Sequence, residues 1–243
     1  MSTINVDIFY FWIYHISMID LKNINYSAED KNDIIKDLSV SFPDKKITVI
    51  TGANGSGKST LVKIIMGILH PTSGNVFFRG EDITNMSITD RAKRGITMAF
   101  QQPVTFKGIT VKKMIEIANG HPLSVGQVCE YLSKVGLCAK NYVDRELSSR
   151  LSGGEMKRIE LAVSLAKSGE VFLFDEPEAG IDLWSFEGLV NIFESLHNKT
   201  VIIVSHQQKI LDIADNILLL SPDGKYSFGA KDEILCKMGK PRQ

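Results

Sequence analysis

The chain has 243 residues, 44% of them apolar and 23% charged, with 28 basic and 28 acidic side chains and a formal net charge of zero. Such a chain can bury a sizeable core as one large domain or two lobes, and its balanced charge gives no general electrostatic reason to bind nucleic acid or an anionic membrane surface. Cys129, Cys138 and Cys236 sit in no C-x-x-C spacing, so they read as reduced thiols of a cytoplasmic protein rather than as a disulfide or metal framework.

The first stretch, Ile4 to Ile19, is apolar and aromatic but broken by Asp7 and His15. It is too short for a confident membrane span and lacks the basic region and cleavage site of a signal peptide. The pattern from Met18 onward reads as the natural opening of a domain. Residues 1–17 are therefore expected to be an extension from an upstream start codon, with a short interfacial or partner-binding segment as the alternative.

Lys46 to Thr51, apolar and β-branched before a glycine, predicts a buried strand. Leu61, Ile64, Ile65 and Ile68 then recur at helical spacing, and the helix is expected to stop near His70 because Pro71 cannot continue it. Asn75–Arg79 and Ile96–Gln101 predict further strands. Val111–Ala118, Val125–Val135 and Met156–Ala166 are helical in period with no strand between them, so residues 102–166 read as a helical lobe. That lobe is inserted between the catalytic-lobe segments 18–101 and 167–240. Val171–Phe174 and Val201–Val204 are fully apolar, the mark of a parallel sheet covered on both faces. Ile217–Leu220, followed by Ser-Pro-Asp-Gly, predicts a last strand and tight turn, and no internal repeat is present. The fold expected is α/β.

Gly52-Ala53-Asn54-Gly55-Ser56-Gly57-Lys58-Ser59, with Thr60 next, satisfies G-x-x-x-x-G-K-S between a predicted strand and a predicted helix. Glycines let backbone N–H groups curl around phosphates, Lys58 neutralises the β and γ phosphates, the Ser59 hydroxyl can ligate Mg2+, and the helix turns its positive end toward the anion. Downstream, Val171–Phe174 runs into Asp175-Glu176, which delivers two carboxylates to the ligand-binding edge of the sheet. Asp175 suits Mg2+, directly or through water, and Glu176 suits an attacking water. His206, after the apolar run ending at Val204, can reach a γ-phosphate or orient the water. Gln101, at the end of its strand, can contact Mg2+ or water and report nucleotide state to the helical lobe; Gln102 is the rival assignment.

A second glycine pair lies in LSGGE, residues 151–155. Ser152 and Glu155 flank Gly153 and Gly154 as a capping box that opens a helix. The bare N–H groups there make a second anion site. A single subunit has no obvious way to fold this lobe back onto its own P-loop. Two subunits head to tail would bring each LSGGE to the other's γ-phosphate.

In these motifs and their order the chain resembles ABC-type ATPase domains over about residues 18–240. GANGSGKST matches Walker A, Gln101 in FQQP the Q-loop, LSGGE the signature, VFLFDE Walker B, Gly180-Ile181-Asp182 the D-loop core and His206 the switch histidine. The resemblance implies a P-loop NTPase fold of ABC type: a mainly parallel core sheet flanked by helices, an antiparallel β part and an inserted helical subdomain. It implies Mg2+-dependent hydrolysis of ATP to ADP and phosphate, and an ATP-dependent homodimer. An upstream aromatic stacks on adenine in the family, and Tyr26 is the candidate. The D-loop departs from the common pattern: Glu178-Ala179-Gly180 stands where the family often has Ser before Gly-Leu-Asp, which puts the cross-dimer hydroxyl contact in doubt.

Only about ninety residues separate Lys58 from Ser152, so the long coiled-coil insertions of chromosome-structure and DNA-repair ATPases are absent. Two readings remain. One is the nucleotide-binding subunit of a membrane transporter, with a membrane permease as partner. The other rests on finer matches: AFQQPV with Gly108, HQQKILD from His206, and LSGGEMKR are similar to the ATPase subunit of the SUF iron–sulfur cluster assembly system. Pro177 to Trp184 looks like the short ATPases of that kind in anaerobes and archaea. The second reading is favoured, and it implies a soluble scaffold partner of the SufB/SufD kind in the cytoplasm.

Overall fold

The computed structural model describes residues 17–28, 33–99, 108–147, 151–180 and 183–239. In chain order its strands and helices are β1 (Ser17–Ser27), β2 (Asp33–Pro43), β3 (Ile47–Gly52), α1 (Lys58–Met66), β4 (Ser73–Phe78), β5 (Glu81–Asp82), α2 (Ile88–Lys93), β6 (Ile96–Ala99), α3 (Val111–Asn119) and α4 (Val125–Lys134). They continue as α5 (Ala139–Tyr142), α6 (Gly153–Ala166), β7 (Val171–Asp175), α7 (Leu183–Ser195), β8 (Thr200–Val204), α8 (Gln208–Asp212), β9 (Asn216–Leu220), β10 (Tyr226–Ala230) and α9 (Lys231–Lys237).

The strands form two sheets. A six-stranded sheet runs β10-β9-β3-β8-β7-β6, parallel throughout except for the β9–β10 pair, and an antiparallel sheet runs β2-β1-β4-β5. The α/β architecture expected, with its antiparallel β part, is the one observed. β1 opens at Ser17, one residue inside the stretch expected to be an extension; residues 1–16 lie outside the described residues.

The continuous apolar runs of β7 and β8 follow from two cores. Val171, Leu173, Ile202 and Val204 pack with Leu61, Ile64 and Ile65 of α1 and with the antiparallel sheet. Phe172, Phe174, Val201 and Ile203 face the other way, into a core shared with Val111 and Ile115 of α3 and Val128 and Leu132 of α4. Both strand faces are thus buried, which is why no polar alternation appears in these segments.

Helix α1 ends earlier than the sequence led us to expect. It stops at Met66, where Gly67 takes the left-handed conformation (φ 81°) and donates to the carbonyl of Ile64. A glycine cap of this kind ends a helix before Pro71 is reached. The freed carbonyls meet Arg91, a fully buried side chain of α2. Its guanidinium donates to the carbonyls of Ile64 (2.8 Å), Ile65 (2.7 Å), Ile83 (2.6 Å), Thr84 (2.8 Å) and Met86 (3.2 Å). Burial lowers its pKa to about 10, so it remains a cation at neutral pH, held against the negative end of α1.

Candidate functional site

The loop between β3 and α1 is fixed from both sides. Gly52 has φ 144°, and a Cβ there would sit 2.0 Å from the carbonyl oxygen of Leu220, so only glycine lets β3 pass this close to the end of β9. At the other end Gly57 is the N-cap of α1 and offers no side chain to the first N–H groups, which leaves the positive end of the helix facing the loop. The ammonium of Lys58 spans the loop, donating to the carbonyls of Gly52 and Ala53 at 2.9 Å each.

A cleft of about 400 Å3 opens over this loop, lined by Ile34, Asn54, Gly55, Gly57, Lys58, Ser59, Thr60 and Glu176. The parallel register of β7 beside β8 brings the acids to it. Asp175 ends β7, is buried, and accepts from the Ser59 hydroxyl at 2.8 Å. Glu176 follows in the left-handed region (φ 47°), with its N–H bonded to the Val204 carbonyl at 3.0 Å. A non-glycine residue in that conformation costs on the order of 1 kcal/mol, and such outliers gather at functional sites. The turn aims the Glu176 side chain into the cleft while Asp175 stays with the sheet.

The residues present suit a hard dication beside phosphates. Ser59 and Asp175 set one hydroxyl and one carboxylate side by side, the oxygen donors Mg2+ takes when the rest of its shell is water and phosphate. The Ser56 hydroxyl is buried without a hydrogen-bond partner among the described residues, one more polar group turned toward this loop.

Other predicted residues lie elsewhere. His206, exposed, follows Ser205 at the end of β8 and does not line the cleft. Tyr26 lies on β1 paired with Ile35, half-buried against the core beneath the antiparallel sheet, and it too is absent from the cleft lining. Gln101 and Asp182 lie outside the described residues, as does Gln102; Gly180 is exposed with φ 78°.

The signature residues are also away from the P-loop cleft of their own chain. The Ser152 hydroxyl accepts the N–H of Glu155 (3.2 Å), and the Glu155 carboxylate accepts the N–H of Ser152 (2.7 Å), the reciprocal box expected. Gly153 has open space where a side chain would be, and Gly154 faces the carbonyl of Gly180.

Three contacts at these sites escaped the sequence. Ile34 lines the cleft; by alternation it shares the phase of Leu38, Val40 and Phe42, and the irregularity near Asp37 (φ 42°) is what turns Ile35 rather than Ile34 into the core. Tyr142 donates to Glu155 Oε1 at 2.5 Å and Arg145 lies 3.4 Å from it. The Tyr142 hydroxyl, with the bonds from Ser152, holds the Glu155 carboxyl down at a pKa of about 2.

A strand, a glycine loop over a helix N-terminus, and an acid at the neighbouring strand end define a P-loop nucleotide-binding protein. The family described as "ABC transporter" matches residues 35–179, more than half of the chain, and a second, described as an AAA domain, matches residues 147–212. The chain belongs to the ABC transporter family of ATPases, and as such it binds ATP with Mg2+ and hydrolyses ATP.

An uncharacterized ABC transporter ATP-binding protein of Methanocaldococcus jannaschii is 35% identical over 83% of this chain and 85% of its own. An energy-coupling factor transporter ATP-binding protein of Mycoplasma mobile is 33% identical over 90% of this chain and 82% of its own. The dimeric structure of a bacterial ABC transporter cassette superposes with a TM-score of 0.78, at 23% identity, over 88% of this chain and 99% of that one. Among the described residues no helix is long and apolar enough to cross a membrane.

Proposed function

We propose that the chain is an ATP-driven clamp that closes as a head-to-tail homodimer and moves a soluble scaffold on which iron–sulfur clusters are built. The observation that carries the clamp is the separation, within one chain, of LSGGE from the P-loop cleft. A second copy, turned by two-fold symmetry, can supply Ser152, Gly153 and Gly154 to the γ-phosphate held by the first.

In that assembly Lys58 and the loop N–H groups hold the phosphates. Ser59 and Asp175, with Gln101, hold the Mg2+, which supplies charge neutralisation when bound. Glu176 takes the proton of the attacking water and His206 orients the γ-phosphate side. Ile34 gives the apolar contact on the nucleoside side of the cleft, beside or in place of Tyr26. Hydrolysis removes the bridging anion and releases the clamp.

The scaffold partner is supported by AFQQPV, LSGGEMKR and HQQKILD, each similar to the corresponding stretch of the SUF system's ATPase. The second reading is the nucleotide-binding subunit of a membrane transporter, favoured by relatives that are named as transporter ATP-binding proteins. Affinity purification of the tagged chain from its native cells in detergent, with mass spectrometry of what accompanies it, separates the two. A soluble β-rich scaffold carrying iron and sulfide under anoxic handling supports cluster assembly; a polytopic membrane protein overturns it in favour of transport.

A further inference from the structure

The turn leaving β7 carries a second acid that the hydrolytic reading does not use. Glu178 Oε1 lies 2.5 Å from the hydroxyl of Ser205, a fully buried side chain. That same hydroxyl accepts the N–H of Gln207 at 3.1 Å, just before α8, and the Ser205 N–H donates to the carbonyl of Ile50 on β3 at 3.1 Å. One carboxyl is thereby joined, through one hydroxyl, to the segment that carries His206 and to the strand that leads into the P-loop.

The second oxygen, Oε2, is buried and has no hydrogen-bond partner among the described residues. An ionised carboxylate oxygen left so is costly, whereas a carboxylic acid loses much less.

We propose that Glu178 is a positioning residue for hydrolysis, holding the Glu176 turn and the His206 segment in register through the Ser205 hydroxyl. Ser205 donates to Oε1, and the unpartnered burial of Oε2 favours the protonated acid. Burial raises the pKa of Glu178, opposed by the Ser205 hydroxyl and by His206 and reinforced by Glu176; His206 and Glu176 are the charged groups that act on it among the described residues. The inference rests on the assignment of Glu176 and His206 to hydrolysis.

The test is steady-state ATPase kinetics of the full chain from pH 6 to 9, with ATP binding measured separately and thermal melting as a fold control. Glu178→Ala and Ser205→Ala are expected to lower kcat about 10-fold with KM for ATP within about 2-fold, because misplacement of a reacting group acts on the chemical step. Glu178→Gln, neutral and of the same shape, restores what Glu178→Ala loses. Any fall in wild-type kcat that comes from ionisation of Glu178 as pH rises should be absent from Glu178→Gln.

Wild-type kcat in Glu178→Ala, equal losses in Glu178→Gln and Glu178→Ala, or a KM that rises in step with the fall in kcat would each overturn the proposal. Glu176→Gln is run beside them. If it is fully active, the hydrolytic assignment falls and this inference with it; if it is inactive while Glu178→Ala is unimpaired, only the role of Glu178 falls.

Discussion

Two glycine-rich segments open helices in this chain, and they are built in opposite ways. At α1 the N-cap is Gly57, with no side-chain cap, and a lysine lies across the loop. At α6 the N-cap is Ser152, closed by a complete capping box with the Glu155 carboxylate at the positive end of the helix. The first leaves its donors and its charge for a polyanion. The second satisfies two of its donors internally and places its own negative charge there, so it suits a weaker, reversible contact through Gly153 and Gly154. In the proposed clamp one end grips and the other completes the grip only when a second copy arrives.

That contrast predicts unequal losses. Lys58→Ala should weaken ATP binding by the single chain on the order of 100-fold, the loss of a charge-assisted contact of about 3 kcal/mol. Isothermal titration measures this, and binding within a few-fold of wild type would mean that the loop N–H groups grip alone. Glu176→Gln should leave that binding intact, lower turnover by at least about 100-fold, the size expected when a proton acceptor is removed, and accumulate an ATP-bound dimer in light scattering. A fully active variant would end the water-polarising role of Glu176.

The grip is also braced from behind. Arg91→Met leaves five carbonyl contacts unmade at the far end of α1 and the loops beside it. A buried acceptor left without its donor costs on the order of 1–3 kcal/mol, so the variant should show a clearly lowered denaturation midpoint in urea. A midpoint close to wild type would mean that Gly67 alone terminates α1.

Residues that act through their chain neighbours were legible in the sequence. The P-loop glycines, the Asp175-Glu176 strand end and the Ser152–Glu155 box each declare themselves within a few positions, because turns, caps and buried strands have local signatures. The end of α1 was misjudged where two stop signals compete: Pro71 is the more obvious, but Gly67 comes first and its cap is completed by a side chain from α2. Arg91 reaches Ile64, Tyr142 reaches Glu155 and Ser205 reaches Glu178, partners 13 to 27 positions away, through contacts that only the packed fold creates. Ile34 was not legible either: its phase is that of Leu38, Val40 and Phe42, and only the register shift near Asp37 takes it out of the core and into the cleft.

At the signature end the effects are smaller. Ser152→Ala should cost about 1 kcal/mol of stability, the worth of an N-cap. It should also leave ATP binding to the single chain unchanged while weakening the ATP-induced dimer. If dimerisation survives intact, Ser152 is a helix cap and nothing more.

The smallest effect is the most specific to the capping box. Glu155 is held ionised by the Tyr142 hydroxyl first and then by the Ser152 N–H and hydroxyl, with a folded pKa of about 2 against roughly 4.3 when unfolded. A depressed carboxyl contributes stability that is fully present above the unfolded value and is lost as pH falls through the folded one. Tyr142→Phe removes the largest cause, so the Glu155 pKa should rise toward the ordinary range, and the difference in stability between variant and wild type should be present at neutral pH and close between about pH 4 and 2. Urea midpoints of both chains across that window measure it. A gap that persists unchanged to pH 2 would mean that Tyr142 supports α6 through ring packing, and that the carboxylate at this helix start is held by Ser152 alone.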